Sequence, residues 1–439
     1  MRLLAAAAAL VATLVASPQG QAPQGVETFD AAWTIVRDTH FDKTFNGVDW
    51  EGVRTELRPR ATAAKSATEL RVVLREMLGR LGQSHFSILP ASADAATAAA
   101  GGTAEPGFDV RLTPGGVLVT SVEPDGPAAA AGVKTGWRVR AIGQASVDDF
   151  LRALTDGTEN RLRRLEAWRA VELRLRGPSG SRVAVAFEDA SDKRIELTLE
   201  RRAASGQPVT VGNLPTMLVR VDWRREQTPA RAVAGIIRFN VWMAAVDAQF
   251  QKAIDELRTA DGIVVDLRGN PGGLALMMRG ISGHFVAESV LLGVMKTRDS
   301  ELRFAANPRL VNGQGERVSH YAGPVAILVD SLTGSASECF SGGMQSIKRA
   351  RVFGQTSMGQ ALPALFDRLP NGDVMIHAYG DFVTADGTRL EGRGVIPDEI
   401  VPLRREDLLA GRDRPLEAAL TWIDTSKPGG KGVSEPQQP

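Results

Sequence analysis

Two segments of this 439-residue chain place reactive residue types where chemistry is physically possible. RGNPGG at 268–273 follows the apolar run GIVVDL at 262–267, and SLTGSASE at 331–338 follows VAILVD at 325–330. Short unbroken apolar runs are the pattern of central parallel strands covered on both faces. In open α/β sheets ligands bind beyond the carboxyl ends of such strands, so both segments lie where a substrate would sit. Ser335, directly after Gly334, stands at the start of a helix-forming stretch. A hydroxyl at that turn is exposed to substrate, and the free N–H groups and positive dipole end of the helix can stabilise an oxyanion. The chemistry would be nucleophilic attack on a carbonyl. Ser335 and Glu338 also satisfy the S-x-x-E capping box, in which the serine only caps the helix, and spacing alone leaves both readings open.

Other reactive residue types have a structural reading. Asp266 and Arg268 flank a strand end, where an ion pair that orders the glycine turn is expected. Cys339, the sole cysteine, falls one turn into the Ser335 helix as a small core residue and excludes an internal disulfide. His40, His284, His320 and His377 have no matching catalytic context and are expected to be structural. No cluster has metal-ligand spacing and no dinucleotide or phosphate fingerprint occurs, so no metal and no cofactor is expected.

The elements that must position these residues form a multidomain α/β chain. The clearest helix is expected at 66–81, where Ser66 and Glu69 form a capping box and Leu70, Val73, Leu74, Met77, Leu78 and Leu81 share one face. With shorter helices at 29–39 and 48–57 it makes an N-terminal helical domain at 26–90. The low-complexity stretch 91–107 is a linker in composition. Residues 104–203 alternate as a β domain, 206–424 form an α/β core with a parallel-containing central sheet, and 425–439 read as a disordered tail. The first residues, MRLLAAAAALVATLVAS, have signal-peptide architecture over 1–17, which implies export to a periplasmic or secreted location. No later segment reads as a membrane span. Lys and Arg number 52 against 51 Asp and Glu, a balance that recommends neither nucleic acid nor an anionic membrane as partner.

The block VLVTSVEPDGPAAAAGVKTGWRVRAIG, beginning at Val117, resembles a PDZ domain, with Trp137 where that pattern usually has Asp. PDZ modules take a C-terminal peptide as an added strand, its carboxylate held by backbone amides. The resemblance therefore implies substrate binding at Gly107, Phe108, Asp109 and Val110. DLRGNPGG, SLTGSASECFSGGMQ, the Gly354-Gln355-Thr356 turn and LEGRGVIPDEIVP occur in the order found in the C-terminal processing (tail-specific) serine peptidases, which this chain resembles over nearly its whole length. The resemblance implies Ser335 as nucleophile and an oxyanion hole from the N–H of Ala336 and one from Gly272 or Gly273.

One departure changes the mechanism. Where the processing branch has the lysine of a Ser-Lys dyad this chain has Gln360, and an amide cannot take the serine proton. The related tricorn-core branch uses a Ser-His pair, a Ser and a late Glu, and this chain resembles it at Ser84, His85, Ser335 and Glu391. His85 is then the general base. The expected function is a serine endopeptidase that acts near polypeptide C-termini through an acyl-enzyme. The alternatives are a non-catalytic relative that binds apolar ligands or peptides, and a PDZ-centred scaffold with a decayed peptidase domain.

Overall fold

The structure, a computed structural model, describes residues 25–91, 102–155, 161–212 and 216–426. The expected export segment 1–17, most of the linker and the tail beyond 426 lie outside the described residues.

Helices α1 (Gly25–Thr39), α2 (Trp50–Ala63) and α3 (Ala67–Gly79) bury Phe29, Trp33, Leu57, Leu74 and Met77 against one another. The Trp33 indole N–H donates to the Trp50 carbonyl at 2.9 Å, and that of Trp50 donates back to the Trp33 carbonyl at 3.2 Å, so both large rings are buried without an orphan donor. The Ser66 hydroxyl caps α3 by accepting from the Glu69 N–H at 3.2 Å, as the sequence predicts. The second helix runs past its expected end, through Pro59 to Ala63. Beyond the proline, Ala61 at 0 % exposure holds the far turn in the core, on the same face as buried Leu57 one turn earlier. Beyond α3 the strand Ser87–Leu89 pairs antiparallel with Val374–Ala378, Ile88 opposite Met375. That pairing stitches the helical segment to the core and fixes where residues 84 and 85 must lie.

Strands Phe108–Thr113, Gly116–Val122, Arg138–Ile142, Arg182–Glu188 and Arg194–Glu200 form an antiparallel sheet with Phe108–Thr113 at one edge. Two helices, Val147–Thr155 and Arg161–Leu175, interrupt what reads in sequence as continuous β alternation. In the second, buried Leu165, Val171 and Leu175 lie on one face, but arginines crowd the other positions and dilute the apolar period.

The core is a six-stranded mixed sheet in the order Val221–Gln227, Val233–Phe239, Gly262–Asp266, Val325–Val329, Arg351–Gly354, Glu399–Ile400. The first pair is antiparallel and the rest are parallel. Ile237, Ile263, Val265 and Ile327 pack under helices Ala245–Leu257 and Ala336–Ser346, while Ile236, Val264, Ala326 and Leu328 meet helix Arg414–Thr425 on the other face. Both faces are covered, which is why these strands have unbroken apolar sequences. Among the described residues no helix is long and apolar enough to cross a membrane.

Arg111 leaves the edge strand of the β sheet and donates through Nε to Asp330 Oδ2 at 2.7 Å, just past strand Val325–Val329. Both side chains are about a tenth exposed. Replacing Arg111 with Met should strand a buried carboxylate and lower unfolding free energy by roughly 3–5 kcal/mol. Arg194→Ala, at the exposed pair with Glu196, should change it by less than about 1 kcal/mol. Urea midpoints of the two variants check the contrast.

Candidate active site

Ser335 sits at φ 53°, ψ −120°, a left-handed backbone conformation that a side-chain-bearing residue adopts only under constraint. The constraint is visible. The Ser335 N–H donates to the Gln360 carbonyl at 2.8 Å and to Glu338 Oε2 at 3.1 Å. Glu338, at 0 % exposure, also accepts from the Ser357 hydroxyl at 2.5 Å, the Gly359 N–H at 2.6 Å and the Gln360 N–H at 2.9 Å. Its carboxylate clamps the turn at Ser335 to the segment 357–360. Burial pushes the Glu338 pKa up to about 7, although all four hydrogen-bond donors pull it down. The acid of the capping box, which accepts the Ser335 N–H as the spacing predicts, is thus also a buried clamp, and Ser335 itself stays partly exposed.

The glycine turn closes over the same residue. Gly272 has φ 101°, and a Cβ there would lie 2.5 Å from the Ser335 Cβ, so only glycine fits. Its N–H is taken by Asn270 Oδ1 at 3.0 Å and its carbonyl by the Trp242 N–H at 2.9 Å. The first of these engages the Gly272 N–H with a side chain inside the turn, a partner that the Gly273 N–H does not have among the described hydrogen bonds. Asp330 ties the two turns together. It accepts from the Gly269 N–H at 2.9 Å and the Leu332 N–H at 3.0 Å besides Arg111. Arg268 forms the expected ion pair with Asp266 at 2.7 Å and adds Asp413 at 2.7 Å. Burial alone would raise the Asp266 pKa, and Arg268 brings it down to about 2.

Residues 84, 85 and 391 meet on the other side of the segment that holds Ser335. Glu391 Oε1 accepts from the Ser84 N–H at 2.9 Å, and Oε2 accepts from the Ser84 hydroxyl at 2.9 Å and the Ala361 N–H at 2.9 Å. Ser84 Oγ lies 2.8 Å from His85 Nδ1. A hydroxyl has one proton, and here Glu391 receives it, so Ser84 Oγ must accept from His85 Nδ1–H. The imidazole is held in the tautomer whose free lone pair is on Nε2. Burial, then the charge of Arg169, lowers the His85 pKa to about 4. Ser335 and His85 make no direct hydrogen bond. They are joined through residues 360 and 361, one of which binds Ser335 and the next Glu391.

Gln360 contributes its backbone N–H and carbonyl to this frame. Lys348, the nearest lysine in sequence, lies beyond the far end of helix Ala336–Ser346, roughly 15–20 Å along it at 1.5 Å per residue. Cys339 is buried, and burial raises its pKa well above the ordinary thiol range. Arg111, Asp330 and Arg169 are not evident as site residues in the sequence. Asp330 had a signal, since it ends its apolar run as Asp266 nearly ends the other.

The pattern of peptidase family S41 matches residues 233–401, which hold the five parallel strands of the core sheet, Ser335 and Glu391, and that of the tricorn protease C1 domain matches 26–79. Residues 233–401 form a peptidase family S41 domain. The chain is a serine peptidase. It is 25% identical over 377 residues to a carboxyl-terminal-processing protease of Synechocystis sp., covering 84% of this chain and 79% of the relative. It is also 25% identical over 389 residues to carboxyl-terminal-processing peptidase 2, chloroplastic, of Arabidopsis thaliana, covering 85% and 68%. Two solved structures share the fold: a photosystem II D1 C-terminal processing protease, with TM-score 0.57, 23% identity and coverage of 91% and 97%, and mature CPAF complexed with lactacystin, with TM-score 0.61, 13% identity and coverage of 92% and 97%.

The S41 domain carries a pH signature in its clamp. Glu338 holds in the folded chain a proton that the unfolded chain releases above about pH 4.5, so its contribution to stability is greatest below that pH and falls as pH rises to about 7. The stability of the wild type relative to Glu338→Gln, which does not titrate, should decline across that window. Unfolding free energies at three pH values check the slope.

Proposed function

We propose that this serine peptidase cleaves polypeptides near their C-termini through an acyl-enzyme formed at Ser335. Ser335 Oγ attacks the scissile carbonyl and passes its proton to His85 Nε2. The oxyanion is held by the N–H groups of Ala336 and Gly273, and His85 returns the proton to the leaving amine before water completes the cycle. Ser84 and Glu391 orient the imidazole. The observation that carries this reading is the direction of the Ser84 hydrogen bonds, which leaves the Nε2 lone pair of His85 free to act as a base. The preference for C-termini rests on the relatives' names. Ser335 and His85 come into direct contact when substrate is bound, as catalytic hydrogen bonds commonly tighten in the complex.

The edge strand Phe108–Thr113 is proposed to assist by receiving the peptide tail, with Gly107, Phe108, Asp109 and Val110 as the binding segment. The Val110 carbonyl now accepts from the Trp168 indole at 3.1 Å and from Arg111 at 2.9 Å, so an added strand would displace at least the indole. Peptides with a free C-terminal carboxylate should bind more tightly than their amides, and titration of both forms against the full chain checks this.

Ser335→Ala and His85→Ala should each lower peptide turnover by roughly four to six orders of magnitude, with the double variant hardly worse. Glu391→Gln should cost about a thousandfold or more, and Gln360→Ala should retain most activity because its backbone provides the contacts. Labelling of Ser335 by a fluorophosphonate probe tests the nucleophile independently of substrate. Turnover near that of the wild type in His85→Ala would overturn the assignment.

Because His85 must be neutral to act, and its pKa is lowered to about 4, activity should rise with pH through about 4 and be lost below it. Arg169→Gln removes a neighbouring positive charge and should move that acid limb to higher pH. A kcat/KM profile of each protein reads the shift.

A further inference from the structure

His40 is expected from the sequence to be structural, and the structure sets it against the segment that carries Ser84 and His85. It directly follows α1, donates its N–H to the Val36 carbonyl at 2.9 Å, and is 0 % exposed. Its Nε2 lies 2.9 Å from Gln83 Oε1, and because an amide oxygen only accepts, Nε2 carries a proton and donates it. Nδ1 faces the Asp42 backbone, 2.8 Å from its carbonyl oxygen and 3.1 Å from its nitrogen. The ring stacks on Phe86, with 5.7 Å between centroids and 14° between planes. His40 thus holds the residue before Ser84 and the residue after His85.

That segment needs holding. Gly82 has φ 63° and His85 has φ 60°, so the chain turns left-handed on both sides of Gln83 and Ser84, and one of these turns carries a side chain. The turn that presents His40 is stiff. Asp42 accepts from the Thr44 N–H at 2.8 Å, the Thr44 hydroxyl at 2.7 Å and the Asn46 N–H at 2.9 Å, and Asn46 Nδ2 donates to the Leu81 carbonyl at 3.0 Å. Arg298 of the core donates to the His40 carbonyl at 3.1 Å. Glu391 therefore grips Ser84 from the core, while His40 grips Gln83 and Phe86 from the helical side.

We infer that His40 is a positioning residue for His85: it fixes the flanking residues Gln83 and Phe86 and so keeps the imidazole in the orientation that the Ser84 hydrogen bond selects. The inference rests on the proposal above that His85 is the base. A displacement of about 1 Å at a reacting group can cost on the order of a hundredfold in rate, so a buried histidine that never meets substrate can still govern turnover.

The test uses the full-length protein and one internally quenched peptide, with rates taken per folded protein from the near-UV signal at each pH. His40→Asn removes the ring and draws the donor back from Gln83, and should lower kcat by roughly ten- to a hundredfold with little change in KM. His40→Gln, whose amide nitrogen stands close to the ring Nε2, should recover part of that loss. Gln83→Ala removes the partner without emptying the buried site and should also lower kcat, and combined with His40→Asn it should cost little more. Ile423→Ala, on the far face of the core sheet, is the control for lost stability. In wild type the acid limb of kcat/KM should lie near pH 4, where burial and then Arg169 place the His85 pKa. As the imidazole loosens toward water in His40→Asn the limb should move toward about 6.5, while that of Ile423→Ala stays in place. If His85→Ala abolishes turnover but His40→Asn and Gln83→Ala keep the wild-type kcat, the positioning role is overturned and the peptidase reading stands. A fall in His40→Asn that Gln83→Ala does not share, with the acid limb unmoved, shows a purely structural role and overturns it equally. If His40→Asn does not fold, the kcat and acid limb of Gln83→Ala decide alone. If His85→Ala keeps wild-type turnover, the base assignment fails and the role of His40 falls with it.

Discussion

The buried carboxylate of Glu338 is the constraint on which the rest of the site depends. A serine at positive φ is unstable by itself, and the turn holds its shape because one fully buried acid gathers N–H groups from residues 335, 359 and 360 and the Ser357 hydroxyl. Burial alone would make that acid costly, and four donors make it tolerable. From the clamp the order spreads outward. Residue 360 fixes the Ser335 backbone, residue 361 fixes Glu391, and Glu391 fixes Ser84 and through it the imidazole of His85. The Ser335 turn and the Ser84–His85 pair are thus positioned by two consecutive peptide groups of one segment. A shift of that segment moves both together.

Electrostatics follow from the same packing. His85 is kept neutral by its surroundings and by Arg169, a setting in which an imidazole is available as a base across the neutral range. The acids around it have separate tasks. Glu391 holds Ser84 and Ala361 through hydrogen bonds, Glu338 clamps, and Asp330 holds the glycine turn to the loop that leads to Ser335. Their environments differ enough that three carboxyl groups of one site answer pH differently: burial raises Glu338 and Glu391, while Asp330 is lowered once Arg111 and its N–H donors outweigh burial.

Much of this was legible in the sequence because it follows from local rules. The apolar runs at 262–267 and 325–330 gave the central strands, and the capping box at Ser66 gave the start of α3. The gathering of Ser84, His85 and Glu391 was expected only from the family pattern, since nothing in spacing brings residues some 300 positions apart together. The long helix of the β segment was missed because its arginines hide the apolar period, and its Leu165–Trp168 face against Leu332 and Met358 was missed with it. The capping role of Glu338 was readable from the S-x-x-E spacing, whereas its bonds to 357–360 were not, because that segment returns to it only in the fold. The ion pair of Arg111 with Asp330 could not be read at all, since partner choice across 219 positions is a property of the folded surface.

That ion pair bears on how interchangeable the parts of the chain are. Helical segment, β segment and core look like beads that could be inherited or exchanged one at a time. Yet the first supplies Ser84 and His85, the second supplies Arg111, and the third supplies the turns that these residues complete. A core grafted onto a foreign β segment would keep Asp330 buried beside its glycine turn without the guanidinium that neutralises it. The β segment and the core are therefore coupled through this pair, and a substitution at residue 111 alone leaves the Asp330 carboxylate buried without its guanidinium.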